Sequence, residues 1–429
     1  MRHANSIKVL VTAALVLLIA ALGLGIAVLV KRPGKEEQAG SAAESVSLPA
    51  SSGETAPEEG AESTAETGEE PENSGETAPE SASSGAEEAS ESTAAEETEN
   101  PERPEDLTFL IDEVSDGDFY SYDDMMEDLA SMAYYFPDRM TLRTLGETAD
   151  GREIPEAVLG DPESETHLIF QYTMHAREYI NSLLAMRQLE DYLLHYDEPV
   201  IGETTYRELF EKVCFHVIPM DNPDGVMISQ EGPEAIRDEE LRDGLEAIFE
   251  YDDEHGYVKG SEEQYWRRWK ANARGVDVNR NFDSGWDGYS GHGAPSTERY
   301  KGEAPGSETE SRIILALEKE YPVAACISYH SAGGTVYWDY GSSGDIYDRD
   351  KELVNIVTML TGYSASSSVV TSQDAAGCSD YFVLELEIPA VTIETGSGNC
   401  PLPAGDLEEL WEENRLVWPS LANRYGREN

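Results

Sequence analysis

The chain has 429 residues, and 30 basic against 86 acidic side chains leave a formal net charge of −56 at pH 7. A charge of that sign repels phosphate backbones and excludes nucleic acid as a partner. Hydrophobic residues at 39% and aromatics at 9% are too few for one uniformly folded globule, so part of the chain carries no core.

After a short cytoplasmic segment, 1–8, the chain is apolar from Val9 to Val30 apart from Thr12, roughly the twenty residues that cross a bilayer as a helix. The run is long and uniform, and no small-residue cleavage site with a polar exit follows it. An uncleaved signal anchor is therefore expected over 9–30, with a removed signal peptide as the alternative. Basic residues flank both ends, Arg2 and Lys8 before and Lys31, Arg32 and Lys35 after, so they do not set the orientation. A first membrane helix with a large domain behind it usually exports that domain. The bulk of the chain is expected outside the cytoplasm, anchored to the cell membrane or, if the helix is removed, secreted.

Residues 31–105 follow, and from about Gly34 they are almost entirely Glu, Ser, Ala, Thr, Gly and Pro, a composition that builds no core and reads as a disordered, self-repelling spacer. Gly53-Glu54-Thr55-Ala56-Pro57-Glu58 recurs as Gly75-Glu76-Thr77-Ala78-Pro79-Glu80, without an apolar face to stack. Aromatics and aliphatics return at Phe109 and persist to Trp418, giving one large domain, 106–429. Apolar runs at Leu168 to Tyr172, Val213 to Pro219, Val323 to Tyr329 and Ala390 to Ile393 predict short buried strands. Amphipathic stretches such as Glu178 to Tyr196 and Glu308 to Tyr321 predict helices between them. The expected fold class is α/β, a mixed and mostly parallel twisted sheet with helices on both faces. Glu231 to Val258 is acidic and is expected to be an inserted surface excursion carrying a charged helix.

Four cysteines form neither a disulfide framework nor the CxxC pairs of a structural zinc site, and buried thiols are expected. Cys378 and Cys400 flank one candidate strand and are either a pair or two free thiols.

His175 and Glu178 form HxxE, a spacing that brings an imidazole and a carboxylate to one cation from a strand end and a first helical turn. A second match, His195 and Glu198, sits just before Pro199 and reads as a surface helix terminus. His330 emerges from another apolar run and is followed by the small residues Ser331, Ala332, Gly333 and Gly334, which let a substrate backbone approach. Two histidines and a glutamate leave a fourth zinc position open, the catalytic arrangement. Glu394 ends the strand Val391-Thr392-Ile393 at a loop mouth, where a base is needed.

At these residues the chain resembles the zinc carboxypeptidase family typified by pancreatic carboxypeptidase A, from about Phe119 to Trp418. His175-Ala176-Arg177-Glu178 resembles the first metal motif, His330-Ser331 the third ligand, and Thr392-Ile393-Glu394 the strand of the general base. Gly275-Val276-Asp277-Val278-Asn279-Arg280-Asn281-Phe282 is similar to a further signature, and Asn222-Pro223-Asp224-Gly225 to a structural turn. The resemblance implies one zinc ion held by His175, Glu178 and His330, with Asp277 accepting the ring proton of His175. Glu394 would act as general base toward a zinc-activated water. Asn279 and Arg280 would hold the terminal carboxylate of a peptide, and Arg177 would line the groove.

The chain departs from the animal members of that family. Trp269-Lys270 places lysine where an arginine usually steadies the oxyanion, although Trp266-Arg267 offers another register. The position of the family's mobile tyrosine falls near Ser372, and Tyr363 is too distant to replace it. Counting from Asp380, which resembles the pocket aspartate, puts Ser379 at the specificity floor, neither apolar nor acidic. These departures are similar to bacterial relatives, some of which cut the γ-D-glutamyl to diamino-acid bond of cell-wall peptides. The expected activity is a monomeric metallocarboxypeptidase acting on peptides, with cell-wall peptides as the alternative substrate. A catalytically inactive surface binding module is the reading from a different class.

Overall fold

The apolar runs become strands of one twisted sheet. A computed structural model describes residues 101–104 and 106–427, so the expected membrane helix at 9–30 and all but the last residues of the 31–105 spacer lie outside the described residues. Among the described residues no helix is long and apolar enough to cross a membrane. The strands of the main sheet are β1 (Met140–Glu147), β2 (Glu153–Gly160), β3 (His167–Tyr172), β6 (Cys214–Ile218), β7 (Val323–Ser331), β8 (Thr335–Trp338), β9 (Ser364–Ser367) and β10 (Ala390–Thr395). A separate ribbon joins β4 (Pro199–Ile201) to β5 (Thr204–Thr205).

The spatial order is β1-β2-β6-β3-β7-β10-β8-β9. The four central strands β6, β3, β7 and β10 run parallel. On one side β2 pairs antiparallel with both β6 and β1, and on the other β8 pairs antiparallel with β10. The expected parallel character thus belongs to the centre, where strands are covered on both faces and read as unbroken apolar runs.

Alternation along each central strand divides the core. Leu168, Phe170 and Tyr172 face one side with Phe215, Ile327 and Ile393, under helices α1 (Tyr122–Tyr135) and α2 (Ile180–Leu194). Ile169 faces the other side with Ile218 and Cys326, under α7 (Thr309–Glu320) and α9 (Cys378–Leu384). Ser121 caps α1 by accepting the Asp124 N–H, a side chain satisfying an orphan donor. The described end of the expected spacer docks on the domain, contrary to a disordered reading there, with Arg103 standing over the Phe136 ring at 4.7 Å.

The segment Glu231 to Val258 is more than an acidic excursion. Its helix α5 (Glu239–Glu254) turns Leu245 and Ile248 onto Trp266 and Trp269, beside α4 (Pro223–Glu231) and α6 (Glu262–Arg267). Asp252 is fully buried and accepts from the Tyr265 hydroxyl at 2.8 Å, the Ser296 hydroxyl at 2.6 Å and the Thr297 N–H at 2.9 Å. This small core holds the chain on either side of Lys270.

Glu310, at the start of α7, is 2% exposed and its Oε1 has no protein partner. Burial, reinforced by Glu308 and Asp224, pushes its carboxyl from 4.5 up to about 8. Between those values the folded chain keeps a proton that the unfolded chain has lost. Its contribution to stability is therefore full below the unfolded value and is lost as pH rises toward the folded one. Glu310→Gln keeps the neutral shape. It is expected to stabilise the fold by a few kcal/mol at about pH 9 and to change little at about pH 4, read as thermal midpoints; equal midpoint shifts at the two pH values would contradict the assignment.

Candidate metal centre and substrate groove

Three neighbouring parallel strands deliver the site at their carboxyl ends. After β3, Thr173 adopts φ 58° and the chain turns through His175 into a short turn, Ala176–Glu178, that brings Glu178 back beside it. A buried amide fixes this bend: Asn222 Nδ2 donates to Met174 O and to Ala271 O, both at 3.1 Å, while its Oδ1 accepts from the Gly225 N–H at 3.0 Å. Glycine is required at 225 because a Cβ there would lie 2.4 Å from Ala271 O. The expected Asn222-Pro223-Asp224-Gly225 turn is thus the start of α4, and it clamps the segments carrying His175 and Lys270 together.

His330 lies near the end of β7, and its register partner on β10 is Glu394. Beneath them, Thr395 Oγ1 donates to Asn181 Oδ1 at 2.8 Å, and Asn181 Nδ2 reaches Ser331 Oγ at 3.4 Å. These bonds tie α2 to the ends of both strands.

One donor atom each from His175, Glu178 and His330 lies within 4.8 Å of the others. His175 Nδ1 is 3.0 Å from Glu178 Oε1 and 2.9 Å from His330 Nδ1, which is itself 2.9 Å from Glu178 Oε2. All three side chains are buried. Burial lowers the pKa of His175, favouring the neutral ring whose lone pair can ligate. Burial alone would raise Glu178, but the two imidazoles outweigh it and hold the carboxyl well below the ordinary range. Lone pairs of two rings and a carboxylate turned to one point repel, and a divalent cation relieves that repulsion. Two imidazoles and one carboxylate also form a zinc donor set, so the residues fit the metal.

The back of His175 is supported as well: its Nε2 approaches Asp277 Oδ1 at 3.2 Å, the carboxylate-imidazole contact that orients metal ligands. Burial would raise Asp277, yet Lys270 and His175 hold it well below the usual carboxylate range. Lys270 Nζ lies 3.3 Å from Asp277 Oδ2, and the Lys270 side chain lines the groove. Arg267, the alternative register, stands over the Phe119 ring at 5.6 Å instead. Arg177 lines the groove mouth and pairs with Glu298 at 3.3 Å.

The groove encloses about 770 Å³ and is also lined by Arg268, Asn279, Arg280, Ser379 and Glu394. Asn279 Oδ1 accepts the Cys378 N–H at 2.8 Å, leaving its NH2 as the group offered elsewhere. Arg280 donates to Asn279 O at 2.5 Å, while its buried Nε has no protein partner. Burial would lower Arg280, but Asp277 outweighs it and keeps the guanidinium charged. Glu394 lies on the same groove with its pKa raised by burial and by the Glu178 charge.

Ser379 sits on the floor as part of a hydroxyl chain: its Oγ is 2.9 Å from Thr392 Oγ1, which is 3.0 Å from the Tyr340 hydroxyl. Behind them burial pushes Asp380 up to about 7, against the lowering effect of Arg280. Sequence reasoning missed Thr392, Tyr340 and Tyr337 as lining residues. Tyr337 and Tyr340 follow the glycines after His330, so strand β8 returning alongside β10 was the available signal. Tyr363 is turned away, donating to Glu413 at 2.6 Å, and Ser372 offers its carbonyl to Ser290 rather than a phenol to the groove. His195 pairs with Asp191 at 3.1 Å on the surface, outside the metal cluster. All four cysteines are free thiols. Cys378 does not meet Cys400: it is buried beside Cys326, whereas Cys400 lines the groove and contacts Ser331 Oγ at 3.5 Å.

Comparison with known proteins agrees with this geometry. The family model for zinc carboxypeptidases matches residues 125–417. The chain is 27% identical over 301 residues to γ-D-glutamyl-L-diamino acid endopeptidase 1 of Lysinibacillus sphaericus, covering 68% of this chain and 70% of that protein. It is 24% identical over 280 residues to carboxypeptidase B of Astacus astacus, covering 61% and 80%. Among solved structures, thrombin-activatable fibrinolysis inhibitor superposes with a TM-score of 0.57 at 17% identity, covering 72% of this chain and 75% of that one. Carboxypeptidase A of Helicoverpa armigera gives 0.51 at 18% identity, covering 72% of each chain. The chain belongs to the zinc carboxypeptidase family.

Asp277→Asn removes the charge facing His175 and Lys270 at nearly constant volume. It is expected to weaken the zinc that supports hydrolysis by about 10- to 100-fold, measured as the buffered free zinc giving half-maximal activity. An unchanged midpoint would show that Asp277 does not support the ligand.

Proposed function

We propose that this member of the zinc carboxypeptidase family hydrolyses the peptide bond beside a free terminal carboxylate, with Glu394 as general base. The observation that carries the reading is the convergence of His175, Glu178 and His330 at the head of a groove that also holds a half-buried, charged guanidinium whose buried Nε is unpartnered. Bound zinc, held by those three residues, supplies Lewis acidity toward a carbonyl oxygen and makes water more acidic. Glu394 takes the proton of the attacking water and returns it to the leaving amine. Its raised pKa suits both transfers, because a base far below neutrality would hold the proton too weakly to deliver it.

Arg280 and Asn279 bind the substrate carboxylate. The Arg280 Nε–H is a buried donor without a protein acceptor, and a carboxylate satisfies it in the fork geometry that arginine favours. The oxygen of Asn279 is committed to the Cys378 N–H, so its NH2, which lies 3.5 Å from His330 Nε2, is the group that faces the substrate. Lys270 steadies the oxyanion that develops on the scissile carbonyl: it lines the groove, and Asp277 holds it from behind. Arg177 contributes a second positive group at the mouth.

A second reading concerns the substrate. Ser379, Thr392 and Tyr340 give the floor hydroxyl groups in place of a large apolar surface, with Asp380 beside them. Such a floor favours a terminal residue whose side chain ends in hydrogen-bonding groups, as a diamino acid does. The likeness to the Lysinibacillus sphaericus endopeptidase supports a γ-D-glutamyl-diamino-acid bond as the specific target. An exported, anchored domain would meet that bond in the cell wall. An inactive binding module is disfavoured because ligands and base are all present.

Two measurements test these readings. Glu394→Gln should retain zinc while turnover of a blocked dipeptide falls by about 10² to 10⁴; turnover near the parent value would remove Glu394 as the base. Mass spectrometry of ordinary peptides and muropeptides incubated together with the zinc-loaded protein addresses the substrate. Release of single C-terminal residues supports the first reading, and selective cleavage after D-glutamate establishes the second. No hydrolysis of either would favour the inactive module.

A further inference from the structure

A second cluster of metal-ligating side chains lies at the amino ends of the central strands, away from the carboxyl ends that carry the groove. His167 opens β3 and Cys214 opens β6, and the two are register partners. His216 follows two residues later, on the same face of β6 as Cys214. All three residues are buried, and one donor atom from each lies within 4.8 Å of the others.

The hydrogen bonds around the rings fix where their hydrogens are. His167 Nε2 is 2.8 Å from Ser164 O; a carbonyl only accepts, so this nitrogen carries hydrogen. His216 Nδ1 is 2.5 Å from Glu156 Oε1. The other oxygen of Glu156 accepts from Arg143 Nε at 2.7 Å and pairs with its Nη2 at 2.6 Å, the pairing of a carboxylate with a guanidinium. His216 Nδ1 is therefore a donor too.

In neutral rings these assignments leave His167 Nδ1 and His216 Nε2 bare, and they face each other at 2.8 Å. Two lone pairs at that distance need a cation between them, either a third proton or a metal. The surroundings match a ligated pair: one ring donates outward to a backbone carbonyl and the other to a carboxylate, the contacts that hold metal-bound imidazoles in place. A thiol completes the set.

We propose that His167, His216 and Cys214 form a second metal site, whose His2Cys donors suit a borderline-soft cation such as zinc. It fastens β6 to β3 at the end of the sheet opposite the groove. On binding, the Cys214 thiol loses its proton to solvent and ligates as thiolate. The groove ligands, by contrast, are nitrogen and oxygen only.

That difference supplies the test. Full-length protein stripped of metal is titrated with cobalt(II) while near-ultraviolet absorption and hydrolytic activity are recorded. The site predicts two equivalents bound, with a thiolate-to-cobalt charge-transfer band accompanying one of them. Cys214→Ser should lose that band and its equivalent while keeping the other equivalent and the activity. If that variant fails to fold, His167→Gln serves in its place, and the titration of the parent protein decides on its own. Binding of one equivalent without the sulfur band, or a band that survives in Cys214→Ser, would overturn the site and leave a proton-bridged histidine pair.

Discussion

The catalytic end of this molecule depends on a Glu178 carboxylate held between two buried imidazoles that arrive on different strands. Burying a carboxylate is costly unless it is paired and hydrogen-bonded, so the arrangement needs both rings, and a metal, to be stable. Each neighbouring feature serves that requirement. The Asn222 clamp sets the bend before His175, Asp277 backs its outer nitrogen, and the bonds from Asn181 hold the ends of β7 and β10 level. Register does the rest, because pairing Glu394 with His330 puts the proposed base beside the metal-ligating ring.

The charges of the groove are arranged in layers. Asp277 lies behind both His175 and Lys270 and is held far below the usual range by them. One buried anion thus orients a ligand and keeps a cation aimed at the groove. Arg280 is kept charged mainly by Asp277, with Asp380 adding to the effect. A substrate carboxylate would complete this alternation by accepting from the Arg280 Nε–H, a buried donor that otherwise costs about 1–3 kcal/mol when left unsatisfied.

Much of this was legible in the sequence because it rests on local pattern. Buried parallel strands read as unbroken apolar runs, and the polar residues that end them, His175, His330 and Glu394, stand out against that background. Two strands were harder to see: Thr335–Trp338 has strand-forming residues but is only four residues long, and the edge strand Ser364–Ser367 is almost entirely serine, so its composition does not mark it. The hydroxyl chain of Ser379, Thr392 and Tyr340 joins residues distant in sequence through tertiary contact, which no spacing reveals. Glu231 to Val258 looked like surface because acidic residues dominate it, while the few apolar residues that bury it sit on one face of α5. Of the two possibilities the sequence left for Cys378 and Cys400, the structure shows two free thiols, with Cys378 buried beside Cys326, a neighbour that no spacing indicates.

The central claim is a zinc ion bound by three residues from two segments distant in the sequence, the turn His175 to Glu178 and the end of β7 at His330. Anomalous diffraction from a crystal of the zinc-loaded protein, recorded on either side of the zinc absorption edge, tests it most directly. The account predicts a peak at about 2.0–2.2 Å from His175 Nδ1, His330 Nδ1 and a Glu178 oxygen. Crystals with zinc bound elsewhere and no anomalous density at that point would contradict it.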